Sequence, residues 1–134
     1  MKKEKSCGTI VINKNNQVLL VKHNKGHYGF PKGHMEENES EIETAIRETK
    51  EETNIDAVIN KEKRYEISYS IPPNIDKTVI YFLAYSKNDK IIPQASEIKE
   101  VLWIDIDEVS KYLQFTNMID LWNNKIINDI KKQV

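Results

Sequence analysis

Little in this sequence can crosslink the chain, divide it or carry it through a membrane. Among 134 residues there is one cysteine, Cys7, so an intramolecular disulfide is impossible and no four-thiolate metal site can form. Four glycines and four prolines are too few for a flexible or proline-rich linker, and no repeat or low-complexity tract interrupts the chain. A single domain over residues 1–134 is therefore expected. No apolar run approaches the roughly 20 residues that span a bilayer. The charged start, Met1–Lys5, leads into no apolar stretch of the secretory kind. A cytoplasmic protein without a membrane partner is expected. An excess of one charge is also missing: 20 Lys+Arg against 21 Asp+Glu gives -1, so no overall basic field points to nucleic acid.

What is present is a core-forming fraction of hydrophobic residues, 39%, arranged with changing period. Residues 7–12 and 17–22 are β-branched or apolar runs separated by Asn13-Lys14-Asn15-Asn16, the pattern of a hairpin. Cys7 lies in the first run and is expected in the core. Residues 24–38 hold three of the glycines and one proline and are expected to form a long loop. Ser40 followed by Glu43 is a capping box that starts a helix. Ile42, Ala45, Ile46, Thr49 and Thr53 form its core-facing stripe. Strands are expected at 64–71, 78–86 and 100–104, with Pro72-Pro73-Asn74 as a turn. A short helix over Asp107–Leu113 follows. A last helix over about 117–132 carries Met118, Ile119, Leu121, Trp122, Ile126 and Ile130 toward the sheet. Trp103 and Trp122 are expected in the core, and His23 and His27 at the surface. This order describes an α/β or α+β sandwich with a mixed sheet.

The chemistry concentrates on the middle helix. Glu48, Glu51 and Glu52 are spaced by three and four residues, which puts all three carboxylates on one helical face. Like charges so placed repel by a few tenths of a kcal/mol per pair. Three glutamates alone favour a solvated acidic face. The loop ahead of them changes the balance, because Phe30-Pro31-Lys32-Gly33-His34 sets a rigid turn, a cation and an imidazole just before the helix. Oxygen-only ligands suit a hard divalent cation, Mg2+ or Mn2+, and such a cation binds through a few carboxylates, waters and substrate phosphates. Lys32 and His34 suit phosphate oxygens, and Gly33 lets the backbone approach a metal closely.

These residues resemble the Nudix box: a Gly, five residues, Glu, seven residues, then Arg-Glu-U-x-Glu-Glu-x-Gly-U, with U bulky and aliphatic. Here the pattern runs Gly33, Glu39 and Arg47-Glu48-Thr49-Lys50-Glu51-Glu52-Thr53-Asn54-Ile55. Every charged position matches. Thr49 stands in place of an aliphatic, and Asn54 in place of a glycine, where asparagine is the next-best residue for a left-handed helix cap. The resemblance implies the Nudix fold, an α/β/α sandwich, with Glu48, Glu51 and Glu52 around Mg2+ and Arg47 paired with Glu39. It also implies a pyrophosphohydrolase acting on a nucleoside polyphosphate.

Outside the box, the chain is similar to the asymmetrical diadenosine tetraphosphate hydrolases of that family. The stretches that carry this are Gly29-Phe30-Pro31-Lys32-Gly33-His34, Lys77-Thr78-Val79-Ile80-Tyr81-Phe82, Val101-Leu102-Trp103-Ile104 and the Cys7-Gly8 strand. The similarity implies that Lys32, His34 and Lys77 bind polyphosphate. It implies that Tyr81 and Tyr69 flank a base, and that Glu97 joins Gly33, Glu48, Glu51 and Glu52 at the metal. Physically, a tetraphosphate needs several cations along one track, and a base stacked on tyrosine gains roughly 1–3 kcal/mol. Without the resemblance, Lys77 is better taken as a solvated strand-end lysine, and ordinary strand packing accounts for the two tyrosines. Two other Nudix activities compete, cleansing of oxidised nucleoside triphosphates and pyrophosphate removal from RNA 5′ ends. A nucleotide-binding module without catalysis is a third alternative, and the three repelling glutamates argue against it.

Overall fold

The computed structural model describes residues 2–94 and 96–132. It contains a seven-stranded mixed sheet: β1 (Lys2–Ile12), β2 (Gln17–His23), β3 (Tyr28–Gly29), β4 (Lys32–His34), β5 (Ala57–Ile71), β6 (Ile75–Ser86) and β7 (Ile98–Asp105). The order is β3-β2-β1-β6-β5, with β4 also paired to β1 and β7 to β2. β1 and β6 run parallel while the other pairs are antiparallel. Helix α1 (Glu41–Thr53) covers one face, where Ala45 packs with Cys7, Ile80 and Phe82. The C-terminal helical unit covers the other face, where Met118, Trp122, Ile126 and Ile130 meet Phe30, Val79, Tyr81 and Leu83. Successive β6 side chains alternate between these layers, as the strand period of two demands. The result is the expected α/β/α sandwich, and among the described residues no helix is long and apolar enough to cross a membrane.

The start of α1 follows its capping box. Ser40 Oγ accepts from the Glu43 amide at 3.1 Å and Glu43 returns a carboxylate to the Ser40 amide at 2.9 Å. Such a cap contributes about 1 kcal/mol. The end is Asn54, at φ 71°, in the left-handed region where asparagine is tolerated. The apolar stripe differs from expectation. Ile46 is 38% exposed, and the helix rests on Thr44, Ala45, Thr49 and Thr53. Buried threonines are stable there because their hydroxyls are paired. Thr9 and Thr49 bond at 2.6 Å across the helix–sheet contact, and Thr53 Oγ1 donates to the Thr49 carbonyl at 2.6 Å.

Other boundaries also moved. The segment 24–38 contains two short strands, because β4 completes the edge of β1 at Ser6, Cys7 and Gly8. Gly8 permits that approach: a Cβ there would sit 2.1 Å from the Pro31 carbonyl oxygen. β5 begins at Ala57, ahead of the expected 64, and a bulge between Asn60 and Arg64 hides its alternation. The residues 106–111 form a 3-10 helix. The last helix is interrupted, with α2 (Thr116–Leu121), a π turn over Trp122–Ile126, and α3 (Ile127–Lys132). Its buried residues recur every four positions, which drifts by about 40° per step on a 3.6-residue helix. The wider π turn brings Trp122, Ile126 and Ile130 back onto the core. Trp103 is only half-buried, its indole N–H reaching the Asp89 carbonyl at 3.3 Å, whereas Trp122 is in the core.

Glu41 fastens α1 to two strands. It accepts both arms of the Arg64 guanidinium at 2.8 and 2.9 Å and the Lys5 ammonium at 2.5 Å. The Arg64 hydrogen bonds come first in holding its carboxyl down, from 4.5 to about 2. A depressed folded pKa means the stabilisation is fully present above the unfolded value and is lost as pH falls through the folded one. Thermal melts should therefore show stability falling between pH 4.5 and about 2. Glu41→Gln should flatten that decline and cost on the order of 1 kcal/mol at neutral pH. An unchanged acid slope in the variant would contradict the role given to Glu41.

Candidate active site

β4 and α1 build the site between them. Side chains alternate along β4, so Lys32 and His34 share one side and Gly33 takes the other. Gly33 has no room for a side chain, since a Cβ there would lie 2.0 Å from the Glu48 carboxyl carbon. The missing methyl is what allows Glu48 to lie against the β4 backbone. Glu52 is 4% exposed and accepts the Lys32 backbone N–H at 3.1 Å.

Arg47 organises the carboxylates. Its Nε and Nη2 hold Glu39 at 2.6 and 2.9 Å, a two-pronged pair of the geometry guanidinium favours. Its Nη1 reaches Glu48 at 2.8 Å and Glu51 at 3.2 Å, and Nη2 also donates to the His34 carbonyl at 3.0 Å. The expected Arg47–Glu39 pair is thus present, within a wider network. Burial raises the Glu48 carboxyl above its ordinary value, against the opposing Arg47 hydrogen bond. Burial pushes Glu52 up to about 8, with the Lys32 amide opposing and Glu48 adding to the rise. A buried carboxylate whose hydrogen bond is to a neutral amide is costly when ionised, and a cation beside it would offset that cost.

Among the described residues no three acidic, histidine or cysteine side chains already stand in a metal-holding arrangement. The donor chemistry nevertheless fits a hard divalent cation: an all-oxygen set, two members desolvated, with Glu48 lying against a glycine backbone. Glu51 is the exposed member, its side chain 54% exposed and paired with Arg47 at 3.2 Å. Glu97 lies just ahead of β7, close enough to add to the rise at both Glu48 and Glu52.

The cationic side is equally compact. Lys77 is 5% exposed, with Nζ 2.5 Å from Ser6 Oγ and 3.1 Å from His34 Nε2. It is no solvated strand-end lysine. Burial lowers Lys77, Lys32 and His34 alike, and their mutual repulsion lowers Lys77 and His34 further. Three basic groups packed this closely suit an anion. Beside them lies a cavity of about 500 Å³ whose lining includes Lys32, Tyr69, Tyr81, His27 and Phe115. Tyr69 is 40% exposed and offers a wall, whereas Tyr81 is 5% exposed with its ring against Phe30. His23 and His27, expected as surface residues, stack at 4.3 Å and line this cavity. Neither belongs to a motif, so the sequence carried no signal for them. Phe115, 61% exposed in the turn before α2, is a cavity residue that sequence spacing did not single out.

A carboxylate helix behind a Gly-containing β4, facing a cationic cavity in an α/β/α sandwich, is the Nudix arrangement. The chain matches the NUDIX domain over residues 2–125 and belongs to that family of hydrolases, which generally work with divalent metal ions. It is 35% identical over 129 residues to the asymmetrical bis(5'-nucleosyl)-tetraphosphatase of Sus scrofa and 34% identical to that of Rattus norvegicus. Each match covers 85% of this chain and 87% of the relative. The solved C. elegans Ap4A hydrolase binary complex superposes with a TM-score of 0.80 at 28% identity, covering 90% of this chain and 93% of that one.

Gly33→Ala tests the contact between β4 and α1. The added methyl meets the end of a flexible side chain, so the fold should survive with little change in melting temperature. Glu48 must move, and turnover should fall by about 10- to 100-fold. Wild-type turnover in this variant would show that the placement of Glu48 against Gly33 is immaterial.

Proposed function

We propose that this protein hydrolyses diadenosine tetraphosphate asymmetrically, to ATP and AMP, in the cytoplasm with Mg2+ or Mn2+ as its cation. The observation that carries the reading is the cluster of Lys32, His34 and Lys77 beside a cavity with Tyr69 in its wall. Those groups suit a long polyphosphate ending in a flat base, and the tetraphosphatase relatives support it. Lys32, His34 and Lys77 bind the phosphates. Tyr69 flanks the base, and Tyr81 supplies the floor beneath it. Glu48, Glu51, Glu52, the Gly33 backbone and Glu97 hold the cation. When bound, a divalent cation lowers the pKa of a water and neutralises phosphate charge. Water oxygen then bonds to an end phosphorus and the bond from that phosphorus to its bridging oxygen breaks. ATP leaves along the lysine track, and one of the three helix glutamates accepts the water proton.

Reaction in oxygen-18 water should yield only ATP and AMP, with the label in AMP. Lys77→Ala should lower kcat/KM for the tetraphosphate by roughly 10- to 100-fold, the effect of losing a charge-assisted contact, and by much less for a diphosphate substrate. Two molecules of ADP would overturn the substrate assignment. So would a preference for an oxidised nucleoside triphosphate or an RNA 5′ end. Binding without turnover would return the chain to the class of nucleotide-binding modules.

A further inference from the structure

Asn54 occupies a position where the Nudix box has glycine. A glycine there would supply only the left-handed backbone, at φ 71° in this chain. The asparagine adds an amide, and its Nδ2 donates to the Lys90 carbonyl at 3.0 Å. The Asn54 carbonyl accepts from Asn88 Nδ2 at 3.0 Å, and Asn88 Oδ1 accepts the Asp56 amide at 2.8 Å. From this anchor the chain lies along the end of α1. Ile92 N–H donates to the Thr53 carbonyl at 2.9 Å and Gln94 N–H to the Glu52 carbonyl at 3.3 Å. The Gln94 side chain donates to the Lys50 carbonyl at 3.2 Å. Carbonyls that a helix end leaves unpaired are thereby satisfied by the segment that leads to Glu97.

A second asparagine holds the other end of that segment. Asn24 Nδ2 donates to the Ser96 carbonyl at 2.7 Å, and its backbone N–H donates to the Glu97 carbonyl at 2.9 Å. The Glu97 side chain is exposed and, among the described residues, is tied only to the Ser96 hydroxyl at 3.3 Å. Its position relative to Glu48 and Glu52 therefore depends on the backbone that carries it. We propose that Asn24 and Asn54 are positioning residues, Asn54 holding Lys90 and Asn24 holding Ser96 and Glu97, which together fix where Glu97 stands relative to the carboxylate site. The inference rests on the assignment of Glu97 to that site.

Three variants test it. Asn54→Gly keeps the backbone conformation, Asn54→Asp keeps the size but loses the donor, and Asn24→Ala removes the side-chain bond to Ser96 while keeping the backbone bond to Glu97. Kinetics are measured on whichever nucleoside polyphosphate the wild type hydrolyses, and hydrogen exchange on the metal-free protein. Each variant should lower kcat by about tenfold with KM unchanged, the scale of an outer-shell partner. The Ile92 and Gln94 amides should exchange faster in both Asn54 variants while core amides stay protected. In a Glu97→Gln background, Asn54→Gly should cause no further loss. Wild-type turnover in the asparagine variants, together with slow Glu97→Gln, overturns the positioning role alone. Multiplicative losses in the double variant also overturn it. Wild-type turnover by Glu97→Gln overturns both the positioning role and the assignment of Glu97.

Discussion

The guanidinium of Arg47 is shared among more acceptors than any single ion pair could supply. It grips Glu39 with two nitrogens, reaches Glu48 and Glu51 with a third, and takes the His34 carbonyl as well. The contacts join three pieces of chain: the loop before α1, the carboxylate face of α1, and the end of β4. Without that cation, three glutamates at helical spacing would repel one another. Lysine could not replace it, because a single ammonium lacks the planar fork that holds Glu39 while still reaching along the helix. The Glu39 carboxyl is correspondingly held down to about 2, first by the Arg47 hydrogen bonds, so the pair stays ionised through the neutral range.

From that pairing the two sides of the site follow. β4 is only three residues long, yet it separates charges of opposite sign. Its glycine turns toward Glu48, and its lysine and histidine turn toward Lys77 and the cavity. Basic and acidic groups are thus set a strand's thickness apart. That separation suits a reaction in which phosphates lie on the basic side and a metal with its water lies on the acidic side. Glu52 on one side and Lys77 on the other are buried, which strengthens the charge interactions they make.

Much of this was legible in the sequence. The capping box at Ser40 follows from local spacing, the left-handed cap at Asn54 and the Arg47–Glu39 pair from the resemblance to the Nudix box, and the structure has each of them. Local spacing cannot report burial. Ile46 fits a core stripe by period but lies where the sheet does not reach, and Lys77 looks like a surface lysine until β1 places Ser6 beside it. The bulge in β5 and the π turn near Trp122 break the periods by which strands and helices are recognised. His27 and Phe115 meet only through the fold, beside a cavity lined by residues of 23–32, 67–72, 79–81 and 113–118. The asparagines that hold the approach to Glu97 are likewise invisible in sequence, because their partners are backbone carbonyls far along the chain.

The central claim is that the carboxylate face of α1 is a divalent-cation site. Cation binding to the folded state alone must raise stability by an amount that grows with ligand concentration over the dissociation constant. Melting temperature measured against Mg2+ concentration, without any substrate, tests this directly. The wild type should melt progressively higher as Mg2+ is added, and Glu48→Gln combined with Glu52→Gln should show no such rise. A wild-type melting temperature indifferent to Mg2+ and Mn2+, or an undiminished rise in the double variant, would contradict it.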